Sequence, residues 1–216
     1  MARIQPRTQL IASLLLAGIG LWLFFGDGIE IVGASMGFVG VWVFVAATWF
    51  MVDAVHRIPR SEAELAIAPG EWQAWVGTAF LGAVAAAIVL RLDAFAVPVP
   101  IQHNPEAGAA GRDVGTLFVA WVVLAYLLRQ RWKGSVLADE RDQRIEHVSA
   151  AWGRGATIAA IVGIALMLGF SPTERLQQFS YPMLAQMLMA ALVLGAWFDH
   201  AAAAVLYWRD RRAVTA

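Results

Sequence analysis

The stretch MLAQMLMAALVLGAWFDHAAAAVLY, residues 183–207, decides the fold class of this chain. It runs for 25 residues without a lysine, arginine or glutamate, and about 20 apolar residues suffice for a helix to cross a bilayer. Asp199 and His200 lie inside it. Because ionisable side chains are costly in hydrocarbon and usually mark ion or proton paths, these two residues are the first candidates for an intramembrane polar site.

The rest of the chain is also rich in apolar residues and poor in charged ones. Of its 216 residues, 60% are hydrophobic and 15% are charged, whereas soluble domains carry about 25% charge. The charged residues cluster between apolar runs, so the sequence predicts an all-α membrane protein, a six-transmembrane-helix bundle that forms one domain over 1–216. The predicted spans are about 9–25, 31–52, 73–91, 114–130, 152–170 and 183–207.

The first apolar run has an alternative interpretation as a secretory signal peptide, because arginines precede it. However, the run from Leu10 to Phe25 ends in large side chains rather than in a small-x-small cleavage site. We therefore expect it to be retained as the first helix.

The basic residues predict the orientation of the chain, since cytoplasmic loops are enriched in lysine and arginine. With the N-terminus in the cytoplasm, thirteen basic residues fall inside and three fall outside. Both termini are therefore expected in the cytoplasm. The three outside are Arg91, Arg112 and Arg175.

Composition and motifs exclude several functions. The formal net charge is zero, so no basic face for nucleic acid is expected. The chain has no cysteine, which excludes disulfides and cysteine-ligated metals. No phosphate-binding loop, nucleophile motif or two-histidine metal motif occurs, and a haem between His56 and His200 is only a remote alternative. The sequence predicts no cofactor, no metal and no catalytic residues.

The loop before the fifth span carries a charged helical extension. Asp139 can cap a helix that begins at Glu140 and runs without a proline into the span. Its residues admit two interpretations. One is a solvated, salt-bridged helix end, and the other is a docking surface for a cytoplasmic partner. The docking candidates are Glu140, Arg141, Arg144 and Glu146.

The octet Asp-Glu-Arg-Asp-x-x-Ile-Glu, residues 139–146, followed by an apolar run, resembles a signature of small, uncharacterised bacterial integral-membrane families. The resemblance covers about residues 139–170. It implies a multi-pass protein of the bacterial inner membrane and assigns no catalytic residue.

Polar residues on two spans are the remaining candidates for a site. Asp53 and His56 are three residues apart and share one face at the end of the second span. On the sixth span, Gln186 and His200 share one stripe, and Asp199 points about 100° away from it. Aromatic and polar packing is the alternative for both pairs. We expect Asp199 to have a donor on another helix, with Arg154, His56 and Thr48 as candidates.

The second span opens with small residues at close spacing, Gly33, Gly37 and Gly40. Such spacing lets helix backbones approach closely. The contact is expected either within the bundle or in a homo-oligomer.

Three functional hypotheses follow. The first is a non-enzymatic membrane module, meaning an accessory subunit, a sensor or an immunity-type protein. The second is a small proton- or cation-coupled transporter or channel that uses Asp199 and His200. An intramembrane enzyme acting on lipid is the third, and it lacks a nucleophile or metal set.

Overall fold

The structure is a computed structural model that describes residues 6–25, 30–31, 34–57, 69–131 and 140–215. In this part of the chain, six long helices account for most residues, and two two-residue strands, β1 (Glu30–Ile31) and β2 (Ala34–Ser35), pair antiparallel. The long helices are α1 (Pro6–Phe25), α2 (Met36–Arg57), α3 (Pro69–Leu90), α4 (Pro105–Arg131), α5 (Glu140–Phe170) and α6 (Tyr181–Thr215).

Helices α3 to α6 are each long and apolar enough to cross a membrane. The apolar parts described for α1 and α2, Ile11–Phe25 and Met36–Met51, are shorter. The predicted all-α class, with helices long and apolar enough to cross a membrane, is therefore confirmed for four helices. Each predicted span overlaps one long helix over most of its length, but residues 31–35 precede α2 and Arg91 follows α3.

The chain divides into two compact units. The first comprises 1–69 and 119–132, and the second comprises 70–118 and 133–216. That the chain forms one membrane domain stays a prediction.

In the first unit, α1 and α2 pack through glycines. A Cβ atom built on Gly20 of α1 would lie 2.6 Å from the backbone nitrogen of Phe44 in α2, and one built on Gly40 would lie 2.7 Å from the carbonyl oxygen of Gly20. Real Cβ atoms do not approach other atoms so closely. The two helices therefore meet backbone to backbone, which requires glycine at the crossing.

Two helices begin five or more residues from the predicted boundary of their span without a helical extension having been predicted there. Helix α4 begins at Pro105, nine residues before 114, because Asn104 caps it: the side-chain oxygen of Asn104 accepts a hydrogen bond from the backbone N–H of Ala107 at 3.2 Å. Proline at the first helical position loses no hydrogen bond. Helix α2 begins at Met36 rather than near residue 31, because the preceding residues pair as strands.

Candidate functional site

Asp199 and His200 lie on different sides of α6 and contact different helices. The Cβ atom of Asp199 would lie 2.9 Å from a Cβ atom built on Gly153 of α5, and a Cβ atom built on Gly77 of α3 would overlap the imidazole ring of His200. Both side chains are half-buried. The two residues therefore occupy two separate helix contacts rather than one common site.

The α5–α6 crossing at Asp199 is built from small residues. A Cβ atom on Gly195 of α6 would overlap the hydroxyl of Thr157 in α5, and that hydroxyl donates to the carbonyl oxygen of Gly153 at 3.0 Å. Threonine thus satisfies its own polar group within α5. The close approach brings the aspartate against the α5 backbone.

Among the described residues of the second unit, Asp199 has no hydrogen-bond or ion-pair partner, so Arg154 is not its donor there. That Asp199 has a donor on another helix stays a prediction. The Thr48 hydroxyl donates within its own helix, to the carbonyl oxygen of Phe44 at 2.8 Å. Arg154 follows Gly153 directly, and one residue turns a helix by about 100°, so its exposed side chain leaves the α6 contact. The His56 side chain lies outside what the structure describes.

His200 is held within its own helix and against α3. Its Nδ1 atom lies 3.0 Å from the carbonyl oxygen of Ala196, one turn earlier. The ring occupies the space that a side chain at Gly77 would take. The imidazole therefore packs against α3, while its Nδ1 atom contacts a carbonyl oxygen of its own helix.

Three large side chains of α6 pack against glycines of α3. A Cβ atom on Gly82 would lie 2.9 Å from the indole nitrogen of Trp197, and a Cβ atom on Gly70 would overlap the ring of Tyr207. The remaining pair is Gly77 with His200. Glycines 70 and 77 are seven residues apart, as are residues 200 and 207, so antiparallel helices bring both pairs into register.

A group of charged and polar side chains joins the start of α3, the start of α5 and the end of α6; we call it the charged-end cluster. The side chain of Glu71 is 2% exposed and lies 3.3 Å from the guanidinium of Arg211. The Tyr207 hydroxyl donates to Asp142 at 3.1 Å. The cluster comprises Glu71, Arg141, Asp142, Arg144, Tyr207, Asp210 and Arg211.

The residues predicted to dock a partner divide between the two sides of α5. Arg141 donates through Nε to Asp210 at 3.1 Å, which ties it to α6. Arg144 lies 3.7 Å from the same carboxylate, but its side chain is 71% exposed. Glu140 and Glu146 are also exposed. Three of the four candidates therefore face outward, while Arg141 is an internal contact.

The opposite end of the second unit has its own polar contacts. Arg91 at the end of α3 pairs with Asp113 of α4 at 2.6 Å, and Asp113 is 4% exposed. Gln186 lines a cavity of about 300 Å³ together with Arg91. Gln186 precedes His200 by fourteen residues, about 21 Å along a helix, so the two belong to separate sites. Sequence reasoning missed the Arg91–Asp113 pair, because no local spacing relates residues separated by a loop.

The polar residues of the first unit form a separate arrangement. Asp53 accepts a hydrogen bond from Gln9 of α1 at 3.1 Å, and Gln9 also donates to the carbonyl oxygen of Phe50. Gly37 is buried, and Gly40 packs against α1, as the bundle alternative predicts. Gly33 lies outside the described residues, and a homo-oligomer through these glycines stays a prediction.

Within the described ranges, no three histidine or acidic side chains lie close enough together to hold a metal ion. No protein-family model, no curated protein and no solved structure matches the chain.

Proposed function

We propose that this chain is a non-enzymatic module of the bacterial inner membrane, an accessory subunit, sensor or immunity-type protein, that spans the membrane six times with both termini in the cytoplasm. In this proposal the outer face of the first turns of α5 binds a cytoplasmic protein partner. The exposed Glu140, Arg144 and Glu146 provide the docking charges.

One observation carries the proposal. Helix α5 runs unbroken from Glu140 into its apolar part, and the inner side of its first turns is fixed to α6 by the contacts of Arg141 and Asp142. The segment from Glu140 to Trp152 is about 18 Å long at 1.5 Å per residue. A helix end anchored on one side and charged on the other presents a preformed surface, which lowers the ordering cost of binding a partner.

The helix ends that lie together support the proposed topology, in which successive helices cross the membrane in opposite directions. The starts of α3 and α5 meet the end of α6 in the charged-end cluster. At the other end, the Ser180 hydroxyl before α6 donates to the carbonyl oxygen of Phe95, after α3. The ends assigned to the same side by the positive-inside rule therefore lie together within the second unit.

Crosslinking in native membranes tests the docking surface. The double variant Glu140→Lys/Glu146→Lys reverses two exposed charges that form no ion pair with the residues that the structure describes, so the fold should be unaffected. We expect a stoichiometric crosslinked protein partner with the parent chain and loss of that partner in the variant. The matched control is Glu106→Lys/Glu174→Lys, which reverses two exposed acids at the other end of the unit. Equal crosslinking in the parent, the variant and the control would refute the surface.

A second candidate function, a proton- or cation-coupled transporter, is favoured by the half-buried carboxylate of Asp199, which lacks a partner among the described residues. Intramembrane carboxylates commonly carry protons or bind cations. Reconstituted protein should then dissipate an imposed proton or cation gradient, and Asp199→Asn should abolish the flux. A flux that is absent, or that is unchanged in the variant, counts against transport.

A further inference from the structure

An apolar groove runs along α5 where it packs on α6. Its volume is about 660 Å³, and its floor consists of residues with little or no side chain, including Gly155 and Ala159. Leu194 and Phe198 of α6 form one wall, and the exposed indole of Trp152 lies beside it. The volume lies within the range of about 300–1,000 Å³ that small-molecule sites occupy.

The length of the groove indicates what it can hold. It extends along α5 from His147 to Ala160, which is about 20 Å at 1.5 Å per residue. The hydrocarbon core of a bilayer is about 30 Å thick, so one leaflet contributes about 15 Å. The groove therefore matches one leaflet and its headgroup region, and it is too short for a helix that crosses the whole membrane.

Basic residues lie at one end of the groove. His147 lines it, and Arg144 lies on the same face of α5, one turn before Val148. On α6, Arg209 follows Phe198 by eleven residues, three turns, which returns it to the groove side of that helix. Both arginines are exposed. Of the acidic groups near Arg144, Asp210 is already shared with Arg141, and Glu140 lies one turn before Arg144 on α5.

We propose that the groove is a binding site for an anionic phospholipid of the cytoplasmic leaflet. An acyl chain lies over Gly155 and Ala159, and the phosphate is held by Arg144 and Arg209. Long arginine side chains reach the headgroup level while their stems stay on apolar surface. This assignment rests on the membrane orientation proposed above. It shares Arg144 with the proposed partner-docking surface, whose test instead reverses Glu140 and Glu146, so the two proposals can fail separately.

The basic residues at one end of the groove and the length of the groove favour an anionic phospholipid over a second copy of the chain. A two-fold dimer about an axis normal to the membrane would bring Arg144 of each copy to the same end of the groove, where like charges repel. An anionic headgroup instead neutralises both arginines. Each basic residue near the membrane surface raises the affinity for anionic lipid by about tenfold or less.

Native mass spectrometry of the full chain, released from nanodiscs of equimolar phosphatidylglycerol and phosphatidylcholine, tests the site. Both leaflets of a nanodisc have the same composition, so an error in the proposed topology cannot produce a false result. We expect one phosphatidylglycerol retained per chain, well above the phosphatidylcholine retained. Gly155→Leu fills the groove, and Arg144→Gln/Arg209→Gln removes its charges. Each should lower phosphatidylglycerol retention several-fold.

Gly169→Leu is the matched control, because both Gly155 and Gly169 have open space around the Cβ position and only the former lines the groove. Retention should be unchanged in this control. Equal retention of the two lipids by the parent chain would overturn the proposal, as would a Gly155→Leu variant that keeps its lipid. A dimer that Gly155→Leu dissociates would overturn it too and would assign the groove to a second copy.

Discussion

His200 of α6 fills the space that any side chain at position 77 of α3 would need, so the polar residue and the glycine form one packing unit. The same helix pair repeats this arrangement one heptad away, where Tyr207 lies on Gly70. The α3–α6 contact thus depends on glycines that receive large side chains of the neighbouring helix. This explains how a half-buried histidine is accommodated in an apolar helix without a gap.

Gly77→Ala should lower the free energy of unfolding by about 1–3 kcal/mol, because the added methyl overlaps the imidazole and forces the helices to shift. Denaturant unfolding in detergent micelles, followed by circular dichroism, measures it. The control Gly155→Ala meets open space and should not destabilise the protein. Adding His200→Ala to Gly77→Ala removes the overlap, so the double variant should lose less than the sum of the two losses. Additive losses would contradict the packing unit.

Gly20→Ala should separate α1 from α2, since the added Cβ would lie 2.6 Å from the backbone nitrogen of Phe44, which cannot move aside as a side chain can. We expect a lower folded yield and earlier unfolding of the first unit, measured by limited proteolysis within α1. Gly18, two residues earlier, has nothing within 4 Å of its Cβ position. Gly18→Ala should leave proteolysis unchanged, and identical behaviour of the two variants would contradict the crossing.

Arg211→Gln should destabilise the protein by about 1–3 kcal/mol, because it removes the cation beside the buried carboxylate of Glu71. Arg211 is 41% exposed, so solvent screens the pair, and we expect less than the full cost of breaking a buried ion pair. A double-mutant cycle with Glu71→Gln should show coupling. Arg154→Gln, which also replaces an exposed arginine, should be neutral. Zero coupling in the cycle would show that the contact between Arg211 and Glu71 does not stabilise the protein.

Asp199→Asn should leave the unfolding free energy within about 0.5 kcal/mol of the parent value, because the carboxylate has no described partner to lose. Asp113→Asn should instead cost about 1–3 kcal/mol, since it weakens the buried contact with Arg91 at 2.6 Å. The two isosteric substitutions thus serve as controls for each other. A strongly destabilised Asp199→Asn would show that the aspartate has a structural partner.

The sequence predicted the positions of the helices well, because apolar runs of membrane length leave few alternatives to a helix. The sequence predicts the fourth span from about residue 114, whereas α4 begins at Pro105, because hydropathy marks the segment that can cross a membrane and not the less apolar first turns of the same helix. Asn104 followed by Pro105 is a cap followed by a first helical residue, and that signal was present in the sequence.

The contacts between helices were less predictable. The free-energy cost of ionisable side chains in hydrocarbon identifies Asp199 and His200 as candidates. It does not indicate which helices they contact, because that depends on which helix faces pack together. The matching seven-residue spacings of Gly70 with Gly77 and of His200 with Tyr207 would have indicated the α3–α6 register. The Arg91–Asp113 pair depends on the path of the intervening turn, and no sequence period records that path.

The most direct test of the central claim, a six-span chain with cytoplasmic termini, is labelling by a membrane-impermeant maleimide in spheroplasts. The chain has no cysteine, so single substitutions report without background. Gln102→Cys and Glu140→Cys both replace exposed residues in the described ranges. With cytoplasmic termini, we expect labelling at 102 in intact spheroplasts, and labelling at 140 only after the membrane is permeabilised. Labelling at 140 in intact spheroplasts, or none at 102, would contradict it.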